Sequence, residues 1–187
     1  MEPNKTAINW QALISTAWEK RRPLWQDSRV DCFRVFHGYE EGSTGTVIEK
    51  FNDAAVIDYK TDIREDLAEL AQALLKVFPF KNIIAKGHQS LGLSLKARTH
   101  ILHGKDTFTT CNEYGLKFKV QLDAPHNPGL YLDARDVRSW LSDNSSNRRI
   151  LNLFAFTGSL GLSSAYGKAT EVIHLDRSKE LLPRIQE

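Results

Sequence analysis

Residues 150–176 read ILNLFAFTGSLGLSSAYGKATEVIHLD, and this stretch decides the fold. Its first seven residues are almost continuously apolar, and a Thr-Gly-Ser-Leu-Gly turn then leads into a second apolar run. This pattern is typical of a buried strand that feeds a tight turn and a helix. Gly167 follows, then a second strand over residues 172–175 that ends at Asp176. The stretch therefore predicts the first strand–helix–strand unit of an α/β domain.

The turn and the acid together predict a nucleoside-binding site. Gly158 and Gly161 allow the backbone to approach a ligand closely, and the helix that starts there directs free N–H groups toward the strand end. An acid at the tip of the next strand, Asp176, is placed to accept both hydroxyls of a ribose. A dinucleotide fingerprint needs G-x-G-x-x-G, and its second glycine is missing here, so NAD is disfavoured.

The sequence of the strand and turn resembles that of a known family. The pattern N-x-F-x-F-T-G, formed by Asn152, Phe154, Phe156, Thr157 and Gly158, resembles motif I of class I S-adenosylmethionine methyltransferases. It looks most like the large-subunit rRNA cytosine-C5 methyltransferases. The resemblance implies S-adenosylmethionine as cofactor, with its methionine part beside the glycine turn and its ribose on the acid.

A second motif lies just upstream. Residues 129–138, GLYLDARDVR, are similar to the G-x-F-L-D-Q-R-x-N-R segment that precedes motif I in that family, with departures at Ala134 and Val137. Arg135 and Arg138 lie three apart on one helical face, where they either reach toward the methionine moiety or pair with neighbouring Asp133 and Asp136. The resemblance implies these cofactor-binding residues: Tyr131, Asp133, Arg135, Asn152, Phe154, Phe156, Thr157, Gly158, Ser159, Asp176 and Arg177.

The family resemblance also implies the reaction, S-adenosylmethionine-dependent methylation of RNA at C5 of an rRNA cytosine. A D-P-P-like segment and a cysteine nucleophile are expected downstream of the chain, which we interpret as truncated and, by itself, inactive. We therefore assign no catalytic residue, and we interpret Cys32 and Cys111 as packing thiols. The alternative is a catalytically inactive fold that binds RNA or a partner.

Composition sets limits on the class of protein. The 187 residues are 41% hydrophobic, which suits an ordinary core, and 25 Lys+Arg against 23 Asp+Glu give a net charge of only +2. No global field draws the chain to nucleic acid, so an RNA surface must be a local patch. The scattered histidines and two cysteines predict no metal site, and so few cysteines suit a cytoplasmic protein. No apolar run has membrane-spanning length, and the oligomeric state is left open.

The rest of the chain predicts an α/β protein in two parts. Residues 1–125 form an N-terminal α+β region of helices and antiparallel strands, and residues 126–187 are the beginning of a Rossmann-like domain, incomplete here. A helix capped by Asn9 and another capped by Thr61 and stopped by Pro79 are expected. Strands are predicted over residues 30–36, 46–51, 54–60, 83–85, 91–97, 116–122 and 150–156, and a further helix over residues 133–141.

Two charged features have alternative interpretations. The polar face of the strand at 116–122 carries Lys117, Lys119 and Gln121, with the cations Lys96, Arg98 and Lys105 nearby, and could contact an RNA backbone. Lysines on an exposed strand are also ordinary, and no aromatic residue stands among them. Glu40 and Glu41 lie on a glycine-flanked loop, where adjacent carboxylates could act as general acids but are expected to be solvated.

Overall fold

The computed structural model describes residues 8–60, 63–88, 92, 94 and 98–178. The helices are α1 (Trp10–Lys20), α2 (Arg22–Trp25), α3 (Leu67–Val77), α4 (Arg135–Asn144) and α5 (Ser159–Tyr166). The strands are β1 (Cys32–Phe36), β2 (Thr46–Phe51), β3 (Ala54–Tyr59), β4 (Asn82–Gly87), β5 (Thr99–His103), β6 (Phe108–Glu113), β7 (Leu116–Gln121), β8 (Arg149–Leu153) and β9 (Glu171–Leu175). The predicted mixed α/β class is confirmed.

The first sheet has the order β1-β2-β3-β4-β5. The predicted hairpin between β2 and β3 is confirmed, since Phe51 pairs with Ala54 and Asn52 adopts a positive φ of 53° in the turn. The prediction of antiparallel strands throughout this region is wrong at β3 and β4, which are parallel. Helix α3 connects them, and such a crossover is what a parallel neighbour requires.

One face of this sheet is covered by α1 and α3. Asn9 caps α1 as predicted, because its Oδ1 accepts a hydrogen bond from the Ala12 amide at 3.0 Å. Trp10 and Ile14 of α1 and Leu70 and Leu74 of α3 are fully buried. They share one apolar cluster with the strand residues Phe33, Ile48, Ala55, Ile57, Ile83 and Ala85.

The other face of the first sheet is covered by the β6–β7 hairpin and by the segment after it. Cys32, Phe51, Val56 and Ile84 of the sheet form a second buried cluster with hairpin residues and with Leu130 and Leu132. Both cysteines are buried, as expected of packing thiols, and the pKa of the Cys111 thiol is raised by its hydrogen bond with Cys32 and by burial. The predicted division at residues 125 and 126 stays a prediction, although Leu130 and Leu132 belong to the core of the first sheet.

The second sheet is the parallel pair β8 and β9, connected by α5. The predicted strand over residues 150–156 is shorter, ending at Leu153, because Phe154 and Phe156 have positive φ values of 54° and 52° that no regular strand accommodates. The predicted helix over 133–141 is present, but it extends to Asn144, and Leu132–Ala134 forms a 3-10 turn ahead of it.

Several other predictions need correction. Strands β5 and β6 were not predicted, and Glu41 is buried rather than solvated, accepting hydrogen bonds from the His37 and Gly38 amides at 2.9 Å and pairing with Arg21 at 2.7 Å. The Thr61 cap, Lys96 and all of the predicted strand at 91–97 except residues 92 and 94 lie outside the described residues. Among the described residues, no helix combines the length and the apolar composition that a transmembrane span needs.

Candidate cofactor-binding site

The candidate site is the bend that joins β8 to α5. Phe154 and Phe156 both have positive φ, and Gly158 has a φ of 79° at the position before the first residue of α5. Positive φ is uncommon outside glycine, and strained backbone of this kind clusters at ligand sites. The bend therefore turns the chain sharply at the carboxyl end of β8, where ligands of open α/β sheets bind.

Asp176 points toward this bend. Its Oδ2 accepts a hydrogen bond from the Phe156 amide at 2.8 Å, and its Oδ1 accepts one from the Ser178 amide at 2.9 Å. The Ser178 and Phe156 amides hold the pKa of this carboxyl below its usual range, so it is ionised at neutral pH. Because each carboxylate oxygen offers more than one acceptor site, capacity remains for further donors such as sugar hydroxyls.

The upstream motif packs directly against the bend. The Thr157 hydroxyl donates to the Gly129 carbonyl at 2.5 Å, and the ring of Tyr131 lies 5.4 Å from the ring of Phe156, centroid to centroid. Tyr131 is 51% exposed, so its ring is available to a ligand above the strand ends. The structure thus brings the two sequence motifs together at one place.

Arg135 and Arg138 have a partner that sequence reasoning missed. Arg138 is buried and binds Glu113 at 2.6 and 2.9 Å, and Arg135 binds the same carboxylate at 3.1 Å and also the Cys32 carbonyl. The suggested pairing with Asp133 and Asp136 is therefore wrong. The contact of Arg135 with the cofactor stays a prediction, while its observed bonds anchor α4 to the hairpin.

Gly161 allows α5 to pack closely on β9. A Cβ at this position would lie 2.2 Å from His174 Cε1 and 2.9 Å from Val172 Cγ1. The close approach of a ligand at Gly161 stays a prediction. Asn152 Nδ2 lies 3.1 Å from His174 Nδ1, and burial lowers the pKa of His174. The Asn152–His174 contact joins β8 to β9, and the His174 ring lies against Gly161 of α5.

The remaining predicted residues lie around the bend. Phe154 is 90% exposed, and Asp133 and Arg177 are also exposed. The backbone carbonyl of Ser159 accepts a hydrogen bond from the Ser163 hydroxyl at 3.0 Å. Their contacts with a cofactor stay predictions.

A cavity of about 730 Å³ opens beside the bend, between α5, β9 and the β6–β7 hairpin. Its lining includes Thr157 and Gly158 of the bend together with Phe108 and Thr110 of β6, which were missed because β6 was not predicted. A signal for this hairpin exists in the sequence, since Tyr114 and Gly115 form a two-residue turn with φ values of 51° and 89°.

Comparison with known proteins agrees with this geometry. The family model of the S-adenosylmethionine-dependent methyltransferases matches residues 62–187. The ribosomal RNA large subunit methyltransferases I of Aeromonas salmonicida and Aliivibrio fischeri are 31% and 32% identical to this chain, over 90% and 89% of it. The alignments cover 44% and 43% of those proteins, so the chain spans under half the length of these curated relatives.

A solved structure shares the fold. SMU.776, provisionally named a methyltransferase and complexed with SAH, superposes with a TM-score of 0.86 at 21% identity, over 98% of this chain and 49% of that one. The family match includes both motifs that meet at the bend. The chain therefore belongs to the S-adenosylmethionine-dependent methyltransferase family.

Proposed function

We propose that the bend and Asp176 bind S-adenosylmethionine, and that the protein methylates C5 of a cytosine in large-subunit ribosomal RNA. The observation that carries this proposal is the Asp176 carboxylate, held by the Phe156 amide at 2.8 Å directly beside the glycine turn. The names of the two bacterial relatives, both rRNA large subunit methyltransferases, support the choice of RNA.

Each part of the cofactor has a matching group in this arrangement. The ribose hydroxyls would donate to the ionised Asp176 carboxylate, as in other nucleoside sites. The methionine end would lie over Gly158 and Ser159, where the first amides of α5 point toward the ligand. Tyr131 and Asp133 would line the methionine end of the cofactor. Phe154 and Arg177 would lie on the solvent-exposed side of the site. When bound, the cofactor supplies an activated methyl group.

Methyl transfer to C5 of a cytosine needs a nucleophile that first adds to C6, since C5 is otherwise unreactive. Cys32 and Cys111 are fully buried in the core of the first sheet, and the raised pKa of Cys111 disfavours its thiolate. Neither thiol is assigned to this step. The same burial favours the second candidate function, an RNA- or partner-binding module without catalysis of its own.

Calorimetric titration with S-adenosylmethionine tests the cofactor site. Asp176→Asn keeps an acceptor for the Phe156 amide but removes the charge, so affinity should fall on the order of ten-fold to a hundred-fold. Asp143→Asn, at an exposed position on α4, is the matched control and should bind as the parent does. Equal affinity of the parent and Asp176→Asn would refute the assignment of the ribose to this carboxylate.

The substrate is tested separately. Deleting the gene and mapping methylated cytosines in large-subunit rRNA by mass spectrometry should reveal the loss of one C5-methylcytidine, restored by the intact gene. An unchanged methylation pattern would contradict the rRNA assignment without affecting the cofactor site.

A further inference from the structure

The structure points to a binding groove for single-stranded RNA. It lies between the outer face of the β6–β7 hairpin and the side of the bend formed by Thr157 and Gly158. This inference rests on the proposed function, which it deepens by assigning the surface that holds the substrate. We infer that Phe108 stacks on a base while Lys117 and Lys119 bind the adjoining phosphates.

The strand register defines the outer face of the hairpin. Phe108 pairs with Gln121, Thr110 with Lys119, and Asn112 with Lys117. Side chains alternate along a strand, so these residues share one face while Cys111, Phe118 and Val120 enter the core on the other. Because the inner face is anchored in the core, the outer face is a rigid platform.

The platform continues into the cavity beside the bend. Phe108, Lys117 and Lys119 line that cavity on one side, and Thr157, Gly158 and His174 line it on the other. A volume of about 730 Å³ is in the range of sites that enclose a small ligand, and it is ample for one nucleotide. A strand lying on the hairpin would therefore reach the turn beside which the cofactor's methionine part is proposed to bind.

The charge of the groove fits a polyanion. Within the described part of the chain, its lining contains Lys117 and Lys119 and no aspartate or glutamate, although the whole chain is nearly neutral. His174 also lines it, and burial lowers the pKa of that side chain, which disfavours its charged form. This local excess is the kind of patch that phosphate binding requires in a protein of low net charge.

The aromatic residue favours single-stranded RNA over other polyanions. Phe108 is 51% exposed on the lysine-bearing face, and an exposed ring beside cations is the usual platform for an unstacked base. A base inside a duplex cannot be presented to a methyl donor without leaving its stack. An acidic protein segment would satisfy the lysines but would not need the ring.

Fluorescence anisotropy with a labelled single-stranded oligoribonucleotide of about twelve nucleotides, long enough for typical sites, tests this groove. Phe108→Ala should weaken binding roughly five-fold to a hundred-fold through the lost stacking. The double variant Lys117→Gln/Lys119→Gln should weaken binding and reduce the slope of log affinity against log salt by about 1.4, as expected for two phosphate contacts.

Matched controls lie outside the groove. Tyr39→Ala removes an aromatic ring that is 79% exposed on a loop, and Lys76→Gln removes an exposed lysine of α3, on the opposite side of the first sheet. Both should bind RNA as the parent does. Thermal melts and S-adenosylmethionine titration of each variant should match the parent, because neither the core nor the bend is altered.

Three results would refute the proposed RNA-binding groove. They are absence of RNA binding by the parent, losses in the groove variants no larger than in the controls, and equal affinity for oligoaspartate of similar charge with no effect of Phe108→Ala. The last result would instead indicate an acidic protein partner. If S-adenosylmethionine still binds in any of these cases, the cofactor proposal stands and only the groove is refuted.

Discussion

The five-stranded first sheet and the parallel second sheet differ in how completely they are buried. Both faces of the first sheet are covered, one by α1 and α3 and the other by the β6–β7 hairpin, and Ile57 at its centre is fully buried. In the second sheet, one face packs on α5, whereas the other presents apolar side chains that are 46% to 59% exposed, Leu151, Leu153, Ile173 and Leu175. Parallel pairs are normally buried on both faces.

The difference shows how stability and function are divided. The first sheet is a scaffold with a continuous core. The second sheet has few buried residues, and the candidate cofactor site lies at its edge. Specific contacts tie the surroundings of this site to the β6–β7 hairpin, which covers the first sheet. Glu113 of β6 pairs with Arg135 and Arg138 of α4, and the Thr157 hydroxyl of the bend donates to the Gly129 carbonyl after β7. The position of the bend therefore depends on the scaffold.

The largest effect is expected where α4 is joined to the β6–β7 hairpin. In the part of the chain that the structure describes, Glu113 is the carboxylate that pairs with Arg138. Glu113→Gln removes its charge, and leaving such a buried cation unpaired should cost about 3–5 kcal/mol of unfolding free energy. Denaturant unfolding measures this. Glu171→Gln, which breaks an exposed pair with Arg149, is the control and should cost about 1 kcal/mol or less. Equal costs would show that the buried pair does not join the two regions.

The same substitution, isoleucine to alanine, made at one position in each sheet compares the two sheets directly. Ile57→Ala, in the buried sheet, should lower the unfolding free energy by about 2–5 kcal/mol. Ile173→Ala, at a side chain that is 46% exposed, should cost about 0.5 kcal/mol or less. A cost for Ile173→Ala that approaches that of Ile57→Ala would mean that the exposed face is covered in solution, and the contrast between the sheets would fail.

A third substitution acts within the second sheet alone. Gly161→Ala would place a methyl group against His174 and Val172, which should cost about 1–3 kcal/mol through overpacking. Hydrogen exchange should show faster opening of α5 and β9 with the first sheet unchanged. Adding His174→Ala should recover part of the loss, and no recovery would contradict the packing role assigned to Gly161.

The smallest expected effect is on the pH dependence of stability, through the carboxyl group of Glu41. Burial raises the pKa of Glu41, but the stronger combined action of Arg21 and of the His37 and Gly38 amides leaves it lowered. A carboxyl with a lowered native pKa contributes stability above its unfolded pKa of about 4.3, and that contribution disappears as the pH falls through the native value. The stability difference between the parent and Glu41→Gln should therefore shrink as the pH falls below 5. A constant difference would contradict the ionised pair.

Much of the second sheet was predictable because its signals are local. The apolar run, the glycine turn and the acid at the strand tip are read within residues 150–176, and the structure places Asp176 on the bend as that pattern requires. The end of β8 was not predictable, since Phe154 and Phe156 are good strand residues whose positive φ values follow from the tertiary bend.

The first sheet and the β6–β7 hairpin that covers it were predicted less completely because their details depend on distant partners. Glu113 as the partner of Arg138 joins residues 25 apart in the sequence, and nothing local to either indicates it. The parallel pairing of β3 and β4 follows from the crossover through α3, which a list of strands does not specify. Strand β6 alternates Phe, Thr and Asn on its outer face, a weak hydrophobic pattern that hid the aromatic residue of the groove.

The measurement that tests the central claim most directly is an amide NMR titration with S-adenosylhomocysteine. If the nucleoside rests on Asp176, the amides of Phe156, Thr157, Gly158 and Ser178 should shift most, because they bond to that carboxylate or form the bend. The chemical shifts of the α1 amides should not change. Saturation of the protein with shifts confined to the first sheet, or no shift at Phe156 and Ser178, would contradict the account.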